Sequence, residues 1–127
     1  MDSPIDEFDL NAAIARRSER DLRAFMAALA TRLEAALPNR VAVERKRDGF
    51  LSSATHVARL KIEFSDAIFT LALTKQDFVA TRAKVVRAVA ISTATLPIAQ
   101  WLAELKAAIA KLADDDAGAR DVLRGFL

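Results

Sequence analysis

The chain has one histidine, His56, as a candidate catalytic or metal-binding side chain. A zinc site needs several histidine or cysteine ligands, and the sequence contains no cysteine and no second histidine. Ser52 and Ser53 lie close in sequence, but the glycines that form a nucleophile elbow are absent. We therefore expect His56 to be a strand-end histidine that is either exposed or hydrogen-bonded to the preceding loop.

Other motifs for catalysis or ligand binding are also missing. Gly49, Gly118 and Gly125 stand apart from one another, so the sequence contains neither a Walker loop nor a dinucleotide fingerprint. The acidic run at 114–116 lacks the alternating oxygen ligands of a calcium loop and is better placed to cap a following helix. The sequence therefore predicts a protein that is not an enzyme and that uses no cofactor and no metal ion.

A charged stretch beside His56 is the strongest candidate for binding. Three basic residues precede the turn signal Asp48-Gly49, and two apolar residues follow it. The apolar pair has three possible roles. It folds back over the sheet edge to close the core, inserts into a groove of a partner protein, or touches an anionic membrane with the cations at the headgroups. The predicted partner-binding tip consists of Arg45, Lys46, Arg47, Phe50 and Leu51.

The elements that must position this tip alternate with a period of two. Apolar and polar residues alternate in "RVAVER", "VARLKIEF", "AIFTLALT" and "FVATRAKVVRAVAI", which begin at residues 40, 57, 67 and 78. The connections are short, whereas parallel strands would need long crossovers. The pattern predicts a four-stranded antiparallel meander.

Helical periodicity flanks the strands. Apolar residues recur every three or four positions from about Asp9 to Leu37 and again from Ile98 to Leu112, with Trp101 at the edge of the second apolar stripe. A short terminal helix is predicted near 122–126, and residues 1–8 are expected to be a loose acidic N-terminus. The predicted fold is a single two-layer α+β domain over 1–127, with one long N-terminal helix and two C-terminal helices.

One face of the predicted sheet is expected to be basic. If the strands form a meander, Arg59 and Lys61 project from the same face as Arg82 and Lys84, away from the core. Such a face binds polyanions through phosphate contacts, with nucleic acid or acidic lipid as the partner. The commoner reason for such a pattern is a solvated sheet face, charged to prevent aggregation.

Charge and composition agree with a binding role. Residues 40–91 carry ten basic and five acidic side chains, whereas the segments before and after are slightly acidic. The first residues are acidic where a signal peptide would be basic, and the absence of cysteine is typical of cytoplasmic proteins. We expect a cytoplasmic protein.

The function that the sequence favours is a non-enzymatic protein–protein interaction module. An adaptor, an immunity-type protein or a chaperone-like subunit would fit, and the first partner to consider is a second copy of the chain. One alternative is an anion-binding module that uses the basic sheet face. The other is a small-ligand binder with a pocket between helix and sheet.

Overall fold

The computed structural model describes residues 19–74 and 77–113. In this part of the chain two helices flank five strands in the order α-β-β-β-β-β-α. The elements are α1 (Glu19–Ala36), β1 (Val41–Arg47), β2 (Thr55–Glu63), β3 (Ala67–Leu73), β4 (Phe78–Val86), β5 (Val89–Leu96) and α2 (Ile98–Leu112).

The five strands form one antiparallel sheet in which neighbours in sequence are neighbours in space. The strand order is β1-β2-β3-β4-β5, so β1 and β5 are its two edges. The β1–β2 and β3–β4 connections lie at one end of the sheet, and the β2–β3 and β4–β5 connections lie at the other. This order confirms the predicted antiparallel α+β fold.

Both helices pack on the same face of the sheet and create a two-layer core. Helix α1 lies mainly over β1 and β2, and α2 lies over β4. Apolar residues two positions apart on β2 and β3 point into the core, as strand geometry requires. The fully buried large side chains are Leu22, Met26, Leu33, Leu60, Ile62, Leu71, Trp101, Leu105 and Ile109.

Trp101 joins α2 to the sheet. Its side chain is 0% exposed, and its indole Nε1–H donates to the backbone carbonyl of Thr81 on β4 at 2.9 Å. Its ring also makes an edge-to-face contact with Phe69, with the ring centroids 6.0 Å apart. The prediction that Trp101 lies at the edge of the apolar stripe is wrong, because this residue is at the centre of the core.

The prediction of four strands is also wrong, because the segment that begins at Phe78 contains a hairpin. Val86 pairs with Val89, which leaves a two-residue turn of Arg87 and Ala88. These residues have φ of 52° and 68°, so both lie in the left-handed region that this type of hairpin turn requires. Asparagine and glycine usually fill such turns, so the sequence carried no turn signal here.

The helix predictions are met in part. Helix α2 has the predicted bounds, and α1 confirms the later half of the predicted N-terminal helix. The earlier part of that helix, the acidic N-terminus at 1–8 and the terminal helix near 122–126 lie outside the described residues.

Candidate functional site

The β1–β2 hairpin ends in a hydrogen-bonded turn with two apolar side chains at its apex. Phe50 and Leu51 are each 92% exposed. The backbone N–H of Ser52 donates to the carbonyl of Gly49 at 3.2 Å, so the apolar pair occupies the two central positions of a β-turn. The interpretation in which these residues close the core is therefore wrong, and both remaining interpretations place them at a tip.

His56 holds the base of this loop. Its Nδ1 donates to Oδ1 of Asp48 at 2.8 Å, and Arg23 of α1 lies 3.8 Å from the same carboxylate oxygen. The backbone N–H of Asp48 also donates to the carbonyl of Ala54 at 2.9 Å. The expectation that His56 bonds the preceding loop is confirmed, and the arrangement ties the tip to the helix layer.

The basic residues of the predicted tip divide into two groups. Arg45 turns toward the helix layer, where its Nη2 lies 3.6 Å from a carboxylate oxygen of Glu34 on α1. Lys46 and Arg47 are exposed, and neither has an ion-pair partner within residues 19–74 and 77–113. Lys46 and Arg47 are thus exposed basic residues that precede the turn with the apolar pair by a few positions in the chain. We call Lys46, Arg47, Phe50 and Leu51 the hairpin tip.

The predicted basic sheet face is divided between the two sides of the sheet. Arg59 and Lys61 project from the outer face, the one that the helices leave uncovered, and each lies 3.8 Å from an acidic neighbour, Glu44 and Glu63 respectively. Arg82 instead faces α2, where its guanidinium donates to Glu104. The prediction that all four basic residues share one face is wrong.

The register of β4 explains this division. Phe78 and Ala80 are buried against the helices, so the even-numbered positions of this part of the strand face the core. Arg82 is paired with Phe69 and Lys84 with Ala67, which places both basic residues on the helix side. Sequence reasoning placed Val79 on the core side, opposite Arg82 and Lys84, and so reversed the two faces of this part of the strand, in which Val79 is exposed.

The outer face of β3, β4 and β5 lacks charged residues. Thr70, Thr81 and Thr95 are cross-strand neighbours and form one row of hydroxyl groups across the three strands. Ile68, Ala83 and Thr93 form the adjacent row. Ala72 and the exposed Val79 are further uncharged outward residues of β3 and β4. The uncharged part of this face therefore reaches the β5 edge.

Strand β5 is a second exposed surface, which sequence reasoning did not identify. It pairs with β4 on one side, and in the described part of the chain nothing pairs with its other side. Its eight residues, VAISTATL, include no charge, and Val89 and Ile91 are 59% and 57% exposed. The available signal was this uncharged, β-branched run before Pro97. We call Val89–Leu96 the β5 edge.

A cleft of about 470 Å³ lies where α2 passes the β2–β3 turn. Its walls include Phe64 and Phe69, and Lys111 lies 3.6 Å from Asp66 at its border. Sequence reasoning assigned no position to the pocket of the small-ligand alternative, which stays a prediction. Across the residues with described positions, no group of three or more acidic, histidine or cysteine side chains is placed to hold a metal ion.

Comparisons with known proteins gave no relative. No protein-family model, no curated protein and no solved structure matches the chain. Neither of the two described helices combines the length and the apolar character that crossing a membrane requires.

Proposed function

We propose that the chain is a non-enzymatic protein–protein interaction module that associates with a second copy of itself through the β5 edge. The observation that supports this proposal is an exposed, uncharged edge strand at the end of a well-packed sheet. The outer backbone N–H and C=O groups of such a strand are a template for another strand. An antiparallel partner would satisfy them and extend the sheet.

The regular part of the β5 edge is symmetric enough to pair with itself. Ile91 has no partner on β4, because Ser92 pairs with Lys84 and Ala90 with Val85. This bulge limits the regular segment to Ser92–Leu96. In an antiparallel pair centred on Ala94, Thr93 of one copy opposes Thr95 of the other, and the small Ala94 side chains meet at the two-fold axis.

Charge favours a second copy as the partner. Antiparallel self-pairing brings like residues from two chains together, and like charges in direct opposition destabilise a sheet. The β5 edge has no charged residue, so self-pairing carries no such penalty. It also places Thr95 at the end of the threonine row beside Thr93 of the other copy. On this proposal the protein is a small adaptor, and its composition leads us to place it in the cytoplasm.

The first experiment is the molar mass of the purified protein by light scattering at low and at high salt. We expect a dimer at both, because backbone pairing and apolar contacts are not screened by salt. A monomer at the highest soluble concentration contradicts the proposal. A dimer that dissociates as salt rises indicates an electrostatic interface elsewhere and also contradicts it.

A cysteine at the axis locates the interface. The chain contains no cysteine, so Ala94→Cys introduces a single thiol that should meet its symmetry mate and oxidise to a covalent dimer. Ala42→Cys, at an exposed position on the opposite edge strand, is the matched control and should stay monomeric on denaturing gels. Equal crosslinking of both variants would show random collision and place the interface elsewhere.

A further inference from the structure

The hairpin tip has a feature that self-association through the β5 edge does not use. Two adjacent apolar side chains, each 92% exposed, stand at the convex apex of a turn. Scattered apolar residues are ordinary on a protein surface. An adjacent pair at the far end of a hairpin is different, because nothing else in the described structure shields it from water.

Hydrogen bonds close the loop that carries this pair. The backbone N–H of Asp48 donates to Ala54, that of Ser52 donates to Gly49, and His56 bonds the Asp48 carboxylate. These bonds favour the turn that presents the pair, which lowers the conformational entropy lost on binding.

The charge around the tip is positive and available. Lys46 and Arg47 have no ion-pair partner among the residues whose positions the structure gives, and both are exposed. The one acidic residue of the loop, Asp48, is engaged by His56 and Arg23. The cations nearest the apolar pair are thus free to meet an external anionic surface.

We propose that the hairpin tip docks on an anionic phospholipid bilayer. Phe50 and Leu51 enter the boundary between headgroups and acyl chains, while Lys46 and Arg47 remain at the level of the lipid phosphates. At a strand rise of about 3.3 Å per residue, the apex lies at most about 10 Å beyond Arg47. This distance matches the depth at which interfacial side chains settle, roughly 5–10 Å.

The apolar pair and the two cations together favour an anionic bilayer as the partner. A soluble polyanion would neutralise the cations but would leave the apolar pair in water. A neutral apolar surface would cover the pair but would leave the cations without counter-charge. An anionic bilayer supplies both environments in the order in which the tip presents them. Docking in this way is independent of self-association, so a monomer would also bind.

The test is sedimentation with vesicles of phosphatidylcholine, alone or with about a third phosphatidylserine. We expect the protein to sediment with the anionic vesicles only. Phe50→Ser with Leu51→Ser should lower the partition by about tenfold or more, because the transfer of two apolar side chains is lost. Lys46→Glu with Arg47→Glu should lower it by a similar factor.

The matched control lies on β4, outside both the hairpin tip and the β5 edge. Val79 and Val86 are 42% and 44% exposed, so Val79→Ser with Val86→Ser also removes two exposed apolar side chains. This variant should sediment like the unmodified chain. Circular dichroism of all variants checks that the fold is retained.

A fluorescent probe tests insertion directly. Trp101 is buried, so Leu51→Trp adds the only tryptophan that a vesicle would reach. Its emission should shift to the blue with anionic vesicles and stay unchanged with soluble glycerol phosphate.

The proposal is overturned if the unmodified chain does not sediment with anionic vesicles. Sedimentation that survives Phe50→Ser with Leu51→Ser also overturns it, since binding would then be electrostatic alone. If the same variant instead abolishes binding to an identified protein, the tip is a protein-docking element and the bilayer proposal is wrong.

Discussion

Strands β1 and β5 form the two edges of one sheet, and each exposes most of its residues. The second half of β1 is charged at every position from Glu44 to Arg47, whereas β5 has no charge along its whole length. The partner of β1 also contains a bulge, because Ala58 of β2 is passed over between the Glu44–Arg59 and Arg45–Val57 pairs. Arg45 is additionally bound to Glu34 of α1.

This difference shows how one sheet can have one edge that resists pairing with another chain and one edge that permits it. Charges and bulges are devices that natural edge strands use to prevent pairing with other chains. Both edges of this sheet adjoin a bulge, at Ala58 of β2 and at Ile91 of β5, so charge is what distinguishes them. A second copy paired antiparallel about Lys46 of β1 would oppose Arg45 to Arg47 and Lys46 to Lys46, while a second copy at β5 would oppose no charges in any register. Exposure alone therefore does not identify the interaction edge, and the distribution of charge does.

The largest effect on self-association is expected when positive charges like those of β1 are introduced on β5. In Thr93→Lys with Thr95→Lys, each new lysine lies opposite a lysine of the partner in the proposed pairing. Repulsion of about 0.2–1 kcal/mol per directly opposed pair, together with lost threonine contacts, should weaken association by about tenfold or more. Light scattering across a dilution series measures it.

The control for this charge placement is Ala42→Lys, which adds a lysine to the other edge. It should leave the molar mass unchanged. If both variants dissociate equally, net charge rather than the β5 edge governs association, and the comparison between the edges has no functional meaning.

The reverse experiment removes the charge of β1. Arg45→Thr, Lys46→Thr and Arg47→Thr together should open a second edge and produce species larger than a dimer at high concentration. This gain in association should be smaller than the loss expected for Thr93→Lys with Thr95→Lys, because the bulge at Ala58 remains. Combining these changes with Thr93→Lys and Thr95→Lys should keep the new association, which would assign it to β1. A triple variant that remains a dimer would show that the bulge alone closes this edge.

The β5 edge was not predicted from the sequence, and the reason is local. Alternation identified β2 and β3 with their correct faces, because Leu60, Ile62 and Phe69 are large and leave one choice for the buried side. In β4 the small Ala80 and the exposed Val79 misled the assignment, and Arg82 was placed on the wrong face. The hairpin between β4 and β5 was missed because its turn lacks glycine and asparagine.

For the hairpin tip, the sequence identified the residues but did not determine whether they are buried or exposed. Its residues were recognised from the charged run and the Asp48-Gly49 turn signal, which are local features. Whether Phe50 and Leu51 enter the core depends on how far the hairpin extends past the helices. That is a tertiary property, and spacing in the sequence does not contain it.

The turn between β4 and β5, formed by Arg87 and Ala88, allows a prediction about folding stability. Left-handed backbone at a residue with a Cβ costs about 1–2 kcal/mol, and glycine avoids this cost at the expense of greater entropy in the unfolded chain. Arg87→Asn with Ala88→Gly should therefore stabilise the fold by roughly 0.5–1 kcal/mol.

The measurement is urea unfolding in the Thr93→Lys, Thr95→Lys background, at a concentration at which light scattering shows a monomer, so that association does not affect the midpoint. The midpoint should rise with an unchanged slope. Ala90→Gly is the control in the same hairpin, since Ala90 lies outside the left-handed region, and it should destabilise by about 0.5–1 kcal/mol. A lower midpoint for the turn variant would show that the Arg87 side chain contributes more than its backbone costs.

The smallest expected effects are the losses of folding stability when one ion pair on each side of the sheet is broken. Arg82 is partly covered by α2, and Glu104 also accepts a hydrogen bond from Gln100 at 2.8 Å. Arg59 is 60% exposed and lies 3.8 Å from Glu44. Solvent screening reduces both contributions, so Arg82→Ala should cost roughly 0.5–1 kcal/mol and Arg59→Ala close to nothing. Urea midpoints of the two variants check the order. An equal loss would mean that the outer-face pair also helps to hold β1 in the sheet, and that the charge of this edge contributes to stability as well as to exclusion of a second copy.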